Sequence, residues 1–288
     1  LLSTDMSDAA KIVMDAVRAA DHDRYLSALY APSDKRNALF SLYAFNAEIA
    51  GIRDRIREAL PGEVRLQWWR DVIAADDDGA AAGHPVAVAL KATISAHDLP
   101  KRAFDNMLDA RIFDLYDDPM PSRTDLEGYC GETAAALIQL ASMVLAPTEA
   151  PGFAELAGRA GCAQATTGLL LLLPLHRRRG QCFVPADILA AAGSSPEEFV
   201  SGDGGPGAQR AVAAMTALAR EHVSAFEKGA SSLPVSLRPA FLPLALSRAY
   251  LDRMESPRSS PLNGVVRLSA LRRHWLLLRR ATKGWPPL

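Results

Sequence analysis

The chain has 288 residues, 49% of them hydrophobic, with 32 basic side chains against 33 acidic and a formal net charge of −1. That composition excludes extended disorder, and so small a net charge supplies no global field to draw in nucleic acid or acidic ligands. Alanine and leucine dominate while β-branched and aromatic residues are sparse, so an all-α protein is expected. Cys130, Cys162 and Cys182 are far apart and form no C-x-x-C pair, which gives neither a zinc site nor a disulfide framework and suits a reducing compartment. No apolar run reaches the roughly 18–20 residues of a transmembrane helix, and no secretory signal is read at the start, where Met6 is a plausible natural beginning. A cytoplasmic location is expected.

In chain order, residues 7–30 read as one helix with Ser7 as its N-cap. Ala31-Pro32-Ser33-Asp34 breaks it, and Ser33 or Asp34 is placed to cap the next. That next helix is amphipathic: Leu42, Phe45, Ile49, Ile52 and Ile56 mark a buried face, with Tyr43, Asn46, Ala47, Ala50 and Asp54 on an adjoining one. Pro61-Gly62 reads as a break before a helix carrying Gln67, Trp68 and Trp69. His84-Pro85 opens a helix to His97, and Leu99-Pro100 another to Tyr116. Thr124 with Glu127 reads as a capping box for a helix holding Tyr129, Cys130 and Glu132 and running to Val144. A long apolar helix covers Phe153 to Leu173, kinked or ended by Pro174. A loop at 193–207 precedes a helix from Ala208 to about Gly229. Another helix is read at Phe241–Met254, and a basic amphipathic one at Val265–Arg280. These segments describe one domain, 1–288, of roughly eight to ten helices.

The order of these segments resembles the squalene/phytoene synthase family. The resemblance rests on Leu42-Tyr43-Ala44-Phe45, on Tyr129-Cys130 after Asp125-Leu126, on Gln164, and on Arg178-Arg179-Gly180 leading to Phe183-Val184-Pro185. It implies an isoprenoid-synthase-like helical bundle around a central pocket. It also implies, for an active member, two sets of carboxylates one helical turn apart that hold Mg²⁺ against a leaving diphosphate. The family's first aspartates match Ala50, Gly51 and Asp54, and its second cluster matches Leu171 through Leu175. Only Asp54 carries a carboxylate. The chain is more similar still to a divergent branch containing mitochondrial complex I assembly factors and their bacterial relatives, through Ala44-Phe45-Asn46-Ala47-Glu48-Ile49-Ala50, Gln67-Trp68-Trp69 and Leu172-Leu173-Pro174-Leu175-His176. The implied protein is non-catalytic or strongly altered, acting through a ligand or a partner in respiratory-chain assembly. The alternative is an active prenyl-diphosphate transferase with an unusual site.

For that alternative the candidate catalytic residues are Asp54, Glu48 and Glu132, the last of interest because a carboxylate in an apolar helix needs a partner if buried. Mg²⁺ is expected only there; otherwise no metal or cofactor is. The pocket candidates for a prenyl diphosphate or lipid are Tyr43, Asn46, Ala50, Gln67, Tyr129, Cys130, Gln164, His176, Arg178 and Arg179. Asn46, Gln67 and Gln164 read equally as satisfied core polar groups, and Cys130 as small packing. Trp68 and Trp69 read as core, one indole at the pocket rim. The His176-Arg177-Arg178-Arg179 run suits phosphate oxygens and suits equally a solvated turn at a helix C-terminus. The terminal helix, with Leu268, Leu271, Trp275 and Leu278 among Arg272, Arg273, Arg279 and Arg280, is read first as a packing helix with a charged outer face. Contact with an anionic membrane surface, peripheral at the inner membrane, or with a partner is its alternative.

Overall fold

The computed structural model describes residues 8–77, 79–256, 259–262 and 264–286. Among them are the helices α1 (Asp8–Ala20), α2 (His22–Ala28), α3 (Arg36–Ala50), α4 (Ala59–Ala74), α5 (Pro85–Ala96), α6 (Lys101–Ile112), α7 (Arg123–Cys130) and α8 (Ala136–Leu145). They are followed by α9 (Ala154–Arg178), α10 (Ala186–Ala191), α11 (Pro196–Ser201), α12 (Pro206–Gly229), α13 (Arg238–Phe241), α14 (Ser247–Met254) and α15 (Ala270–Lys283). No β-strand occurs among the described residues, as the composition requires. The chain divides into two compact units, residues 1–115 with 139–152, and residues 116–138 with 153–288.

In the first unit α3 packs against α1, α2, α5 and α6. The expected amphipathicity of this helix is absent, because every residue from Ala38 to Asn46 is buried. Ser41 can be buried because its hydroxyl pairs with Thr93 of α5 at 2.7 Å. Phe45 sets its ring edge-on to Trp69 at 5.0 Å and to Phe104 at 5.6 Å, tying α3 to α4 and α6. Neither Ser33 nor Asp34 caps α3; Lys35 holds the N-cap position without a side-chain bond. The predicted 7–30 helix is cut at Asp21, whose carboxylate accepts from the Arg24 N–H at 3.0 Å and restarts the chain as α2. Ser7, the predicted cap, lies outside the described residues.

Neither Pro61 nor Pro174 ends a helix. Pro61 sits in the first turn of α4, where its missing N–H would have no partner in any case. The real interruption lies upstream, at the 3₁₀ turn Arg53–Arg55. Gly62 is needed beside Pro61 because a Cβ there would lie 2.6 Å from Leu115 Cδ2 and 2.7 Å from Ile56 Cδ1. Pro174 is carried inside α9, which continues to Arg178.

The second unit is organised on α9, which packs against α12, α7, α11, α14 and a π-helical turn at Gly131–Ala135. The helical stretch Ala150–Arg178 is long and apolar enough to cross a membrane by length and composition, contrary to the sequence reading. Much of its apolar surface is core here: Ala157, Ala160, Gly161, Ala163, Leu170 and Leu173 are buried. The capping box falls two residues earlier than expected, with Ser122 Oγ accepting from the Asp125 N–H at 3.2 Å. The 193–207 loop contains α11, capped by Ser195 and opened by Pro196. The Phe241–Met254 segment is divided by a 3₁₀ turn at Leu242–Leu246, at whose start Pro243 stands. The last helix begins five residues later than predicted, at Ala270, where Ser269 Oγ accepts from the Arg272 N–H.

Gly161 marks a close approach of two helical elements in this unit. A Cβ there would lie 2.4 Å from the backbone N and Cα of Ala135, while a Cβ at Gly158, one turn earlier, meets nothing within 4 Å. Gly161→Ala should therefore cost about 3 kcal/mol in urea or thermal unfolding, and Gly158→Ala should stabilise by up to about 1 kcal/mol. Equal effects of the two would show that α9 is not packed on the π turn as described.

Candidate functional site

The polar groups of the first unit gather at the C-terminal half of α3. Asn46 is buried and its Oδ1 accepts from Arg111 Nη2 at 3.5 Å. Arg111 in turn pairs with Asp114 at 2.9 Å, both side chains nearly buried. Two residues on, Glu48 lies 3.3 Å from Arg65 Nη2 and 3.6 Å from His84 Nε2. Arg65 also approaches His84 Nε2 at 2.9 Å and stacks on Trp68 at 4.3 Å. His84 Nδ1 caps α5 by accepting from the Ala87 N–H at 3.3 Å. A neutral imidazole has one acceptor nitrogen, so the ring serves either the cap or Arg65. Arg65, Arg111 and Asp114 were not singled out from the sequence; they stand 17, 65 and 68 residues from their α3 neighbours Glu48 and Asn46, and no periodicity links them.

Tyr43 is fully enclosed, with the Arg24 guanidinium 5.9 Å from its ring centre and no hydrogen-bond partner for its hydroxyl. Burial pushes that hydroxyl well above the ordinary tyrosine range. Trp69 is wholly buried, and its indole N–H is likewise without a partner. The other candidates of this unit lie elsewhere. Ala50 is exposed at the end of α3, and Asp54 is exposed on the 3₁₀ turn rather than one helical turn further along α3. Gln67 is exposed, neither core nor pocket, and donates to Asp71 at 2.8 Å.

In the second unit α7 and α9 bring together two cysteines that are 32 residues apart in the chain. The neighbouring Cys162 thiol and burial together raise the Cys130 thiol. Cys162 also points at the Glu127 carbonyl, 3.9 Å away. Cys130 is fully buried, in keeping with its reading as small packing. The Glu127 carboxylate accepts from Arg123 at 3.0 Å and pairs with His222 Nε2 at 3.1 Å, and Arg123 reaches Glu221 at 2.9 Å. His222 Nδ1 is buried without a partner. This network, with members on α7 and α12, was invisible in the sequence.

Glu132 is exposed on the π turn, so it needs no buried partner. Tyr129 is half-buried with its ring 6.1 Å from Phe183, and Gln164 is half-buried on α9. The basic run after the leucines splays apart, because successive helical residues point about 100° from one another. His176 is buried against Phe183 at 4.6 Å. Arg177 donates to the carbonyls of Phe199 and Gly202 and so fastens α11. Arg178 is exposed and donates to the Pro174 carbonyl at 3.1 Å, and Arg179 is half-buried at the C-cap. The cavity beside them, lined by Leu169, Leu170, Leu173, His176, Phe183 and Met215 among others, holds about 10 Å³, room for one water at most. No group of three or more His, Cys, Asp or Glu side chains among the described residues is placed to hold a metal ion.

With this geometry in view, the profile of the squalene/phytoene synthase family matches residues 17–274. The chain is 28% identical to the Bos taurus NADH dehydrogenase (ubiquinone) complex I assembly factor 6, over 86% of its own length and 74% of that protein's. It is 27% identical to presqualene diphosphate synthase of Rhodopseudomonas palustris, over 59% of its own length and 60% of the enzyme's. A crystal structure of a dehydrosqualene synthase in complex with ligand superposes with a TM-score of 0.79 at 16% identity, covering 94% of both chains.

Burial lowers the His222 pKa below its usual 6.5 and outweighs the opposing pull of Glu127, since protonating Nδ1 would place a donor where no acceptor waits. The unfolded chain then binds the extra proton first, so stability falls as pH drops below about 6.5. His222→Gln, which keeps a donor for Glu127, should flatten this loss between about pH 7 and pH 5, with a difference of up to about 1.4 kcal/mol per pH unit. Superimposable urea-unfolding profiles for the two proteins would show that His222 is not held neutral.

Proposed function

The chain belongs to the squalene/phytoene synthase family, and from that premise we propose that it uses the family's fold for binding in the assembly of respiratory complex I, not for coupling prenyl diphosphates. The reading is carried by the residues of α9. Where the resemblance calls for a second cluster of aspartates, α9 has Leu171-Leu172-Leu173-Pro174-Leu175. Leu173 is buried, Leu171 and Leu175 are half-buried and Leu172 is about half exposed. None offers an oxygen donor. On the other side of the motif, Ala50 and Gly51 stand where two further aspartates belong, leaving Asp54.

These residues do not fit a Mg²⁺–diphosphate clamp. Magnesium demands near-octahedral oxygen ligands and is ordinarily held by one or two carboxylates beside the substrate phosphates. Losing oriented charge at a leaving group costs several kcal/mol of transition-state stabilisation, a rate loss on the order of 10² or more. Glu48 cannot substitute freely, because Arg65 already pairs with it at 3.3 Å. The assembly role draws its support from the complex I assembly factor 6 of Bos taurus and its counterpart in Homo sapiens, with which this chain shares 28% and 27% identity over more than four-fifths of its length.

Two measurements test the reading. Incubation with farnesyl or geranylgeranyl diphosphate and Mg²⁺ should release no pyrophosphate above background and form no C30 or C40 product; robust coupling would overturn it. Deleting the gene from its source organism should reduce assembled complex I on native gels, and a deletion strain with normal complex I would sink the assembly role.

A further inference from the structure

The outer face of the terminal helix carries the expected charge at Arg272, Arg279 and Lys283, and an apolar stripe beside it. Leu271, Trp275 and Leu278, spaced at i, i+4 and i+7, fall on one face of α15 and are 82%, 54% and 50% exposed. The inward side is carried by Leu277, only 1% exposed, against the Leu242–Leu246 turn and α13. An outward stripe of one tryptophan and two leucines is costly to leave in water, and none of the described residues of this unit covers it.

The charge beside that stripe is of one sign. α15 contains Arg272, Arg273, Arg279, Arg280 and Lys283 and no acidic residue, although the whole chain carries a net charge of only −1. Arg272 and Arg279 each follow a stripe leucine by one position, and Arg279 lies 5.3 Å over the Trp275 ring. The same two arginines, with Arg248 and Arg280, line a cavity of about 160 Å³ against α12 and α14. The two acidic residues of that cavity are already engaged: Glu227 pairs with Arg248, and Asp252 with Arg220 at 2.8 Å. Among the described residues no carboxylate pairs with Arg272, Arg279 or Arg280. The cavity is many times the roughly 10–15 Å³ that one water needs, and has room for a phosphate group.

We propose that this face of α15 docks the protein on an anionic phospholipid bilayer. Leu271, Trp275 and Leu278 enter the headgroup–acyl boundary, and Arg272, Arg279 and Arg280 receive lipid phosphates at the cavity. The pairing of a short apolar stripe with flanking cations is the chemistry that membrane surfaces recognise. Tryptophan suits that boundary, since its ring is apolar and its N–H remains in the wet layer. A protein partner matching these cations would need a concentrated acidic face around an apolar groove, whereas a bilayer of anionic lipid supplies both at once.

The test is co-sedimentation of the full chain with vesicles of 30% phosphatidylglycerol in phosphatidylcholine, against pure phosphatidylcholine. Binding should favour the anionic vesicles at least about tenfold and weaken as salt is raised. Leu271→Ser with Trp275→Ser should abolish it, and Arg272→Gln with Arg279→Gln should remove the preference for anionic lipid. All four positions lie on the surface, and unchanged circular dichroism and unfolding midpoints confirm that the variants are folded. Quenching of Trp275 fluorescence by brominated lipid, absent in Trp275→Phe, places the residue at the boundary. Equal binding to neutral vesicles, or full binding by the double variants, would overturn the proposal. So would failure to bind either vesicle, and a co-purifying protein lost in the same variants would then assign the face to a protein partner.

Discussion

A helix can be brought against another backbone only where it has nothing to put in the way, and the second unit depends on that at Gly161. The glycine lets α9 touch the Ala135 backbone, and the π turn at Gly131–Ala135 carries the chain past this contact. Once α9 is seated there, Cys162 falls beside Cys130 and the Glu127 carbonyl. The partner helix α12 supplies His222 to the Glu127 carboxylate. Farther along, α9 delivers His176 to Phe183 and Arg177 to the α11 carbonyls. One missing side chain thus sets the register for a thiol pair, an ion-pair network and a basic turn.

The first unit solves a different problem. α3 is buried on nearly all sides, so its polar residues must find partners inside. Ser41 finds Thr93, Asn46 finds Arg111, and Glu48 finds Arg65 with His84. Tyr43 and Trp69 do not, each keeping a buried polar atom with no partner. Such atoms cost about 1–3 kcal/mol each when left unmade, which a stable core carries only if the surrounding packing is good. Here Phe45, Trp69 and Phe104 provide that packing with edge-to-face rings.

The helical class, the order of helices and the family were legible because composition, spacing and short motifs report on local preferences. Proline misled at Pro61, since the cost of a missing N–H depends on where in the helix it falls. Asp21 and Ser122 were missed as caps for a similar reason: several polar residues stood near each boundary, and only the tertiary path selects one. The site was less legible than the fold. Glu132 falls in an apolar run, where burial would demand a partner, and the π turn leaves it in solvent. Arg65, Arg111 and His222 owe their roles to contacts across many residues, and such contacts leave no trace in a single sequence.

What a fold keeps after its carboxylates go is a matter of which interactions the protein still needs. An aspartate holding a metal does nothing for packing, and in the absence of the ion its charge must be hydrated or paired. Leucine at such a place gains burial worth roughly 1.5–3 kcal/mol when fully enclosed. A leucine run such as Leu171–Leu175 therefore favours the folded scaffold. Polar residues that serve the scaffold face the opposite pressure. Asn46, Glu48, Arg111 and Asp114 are tied into ion pairs and hydrogen bonds whose loss would leave buried charge. Apolar burial in one unit and satisfied polar networks in the other both serve the scaffold, each by the interaction that its own surroundings reward.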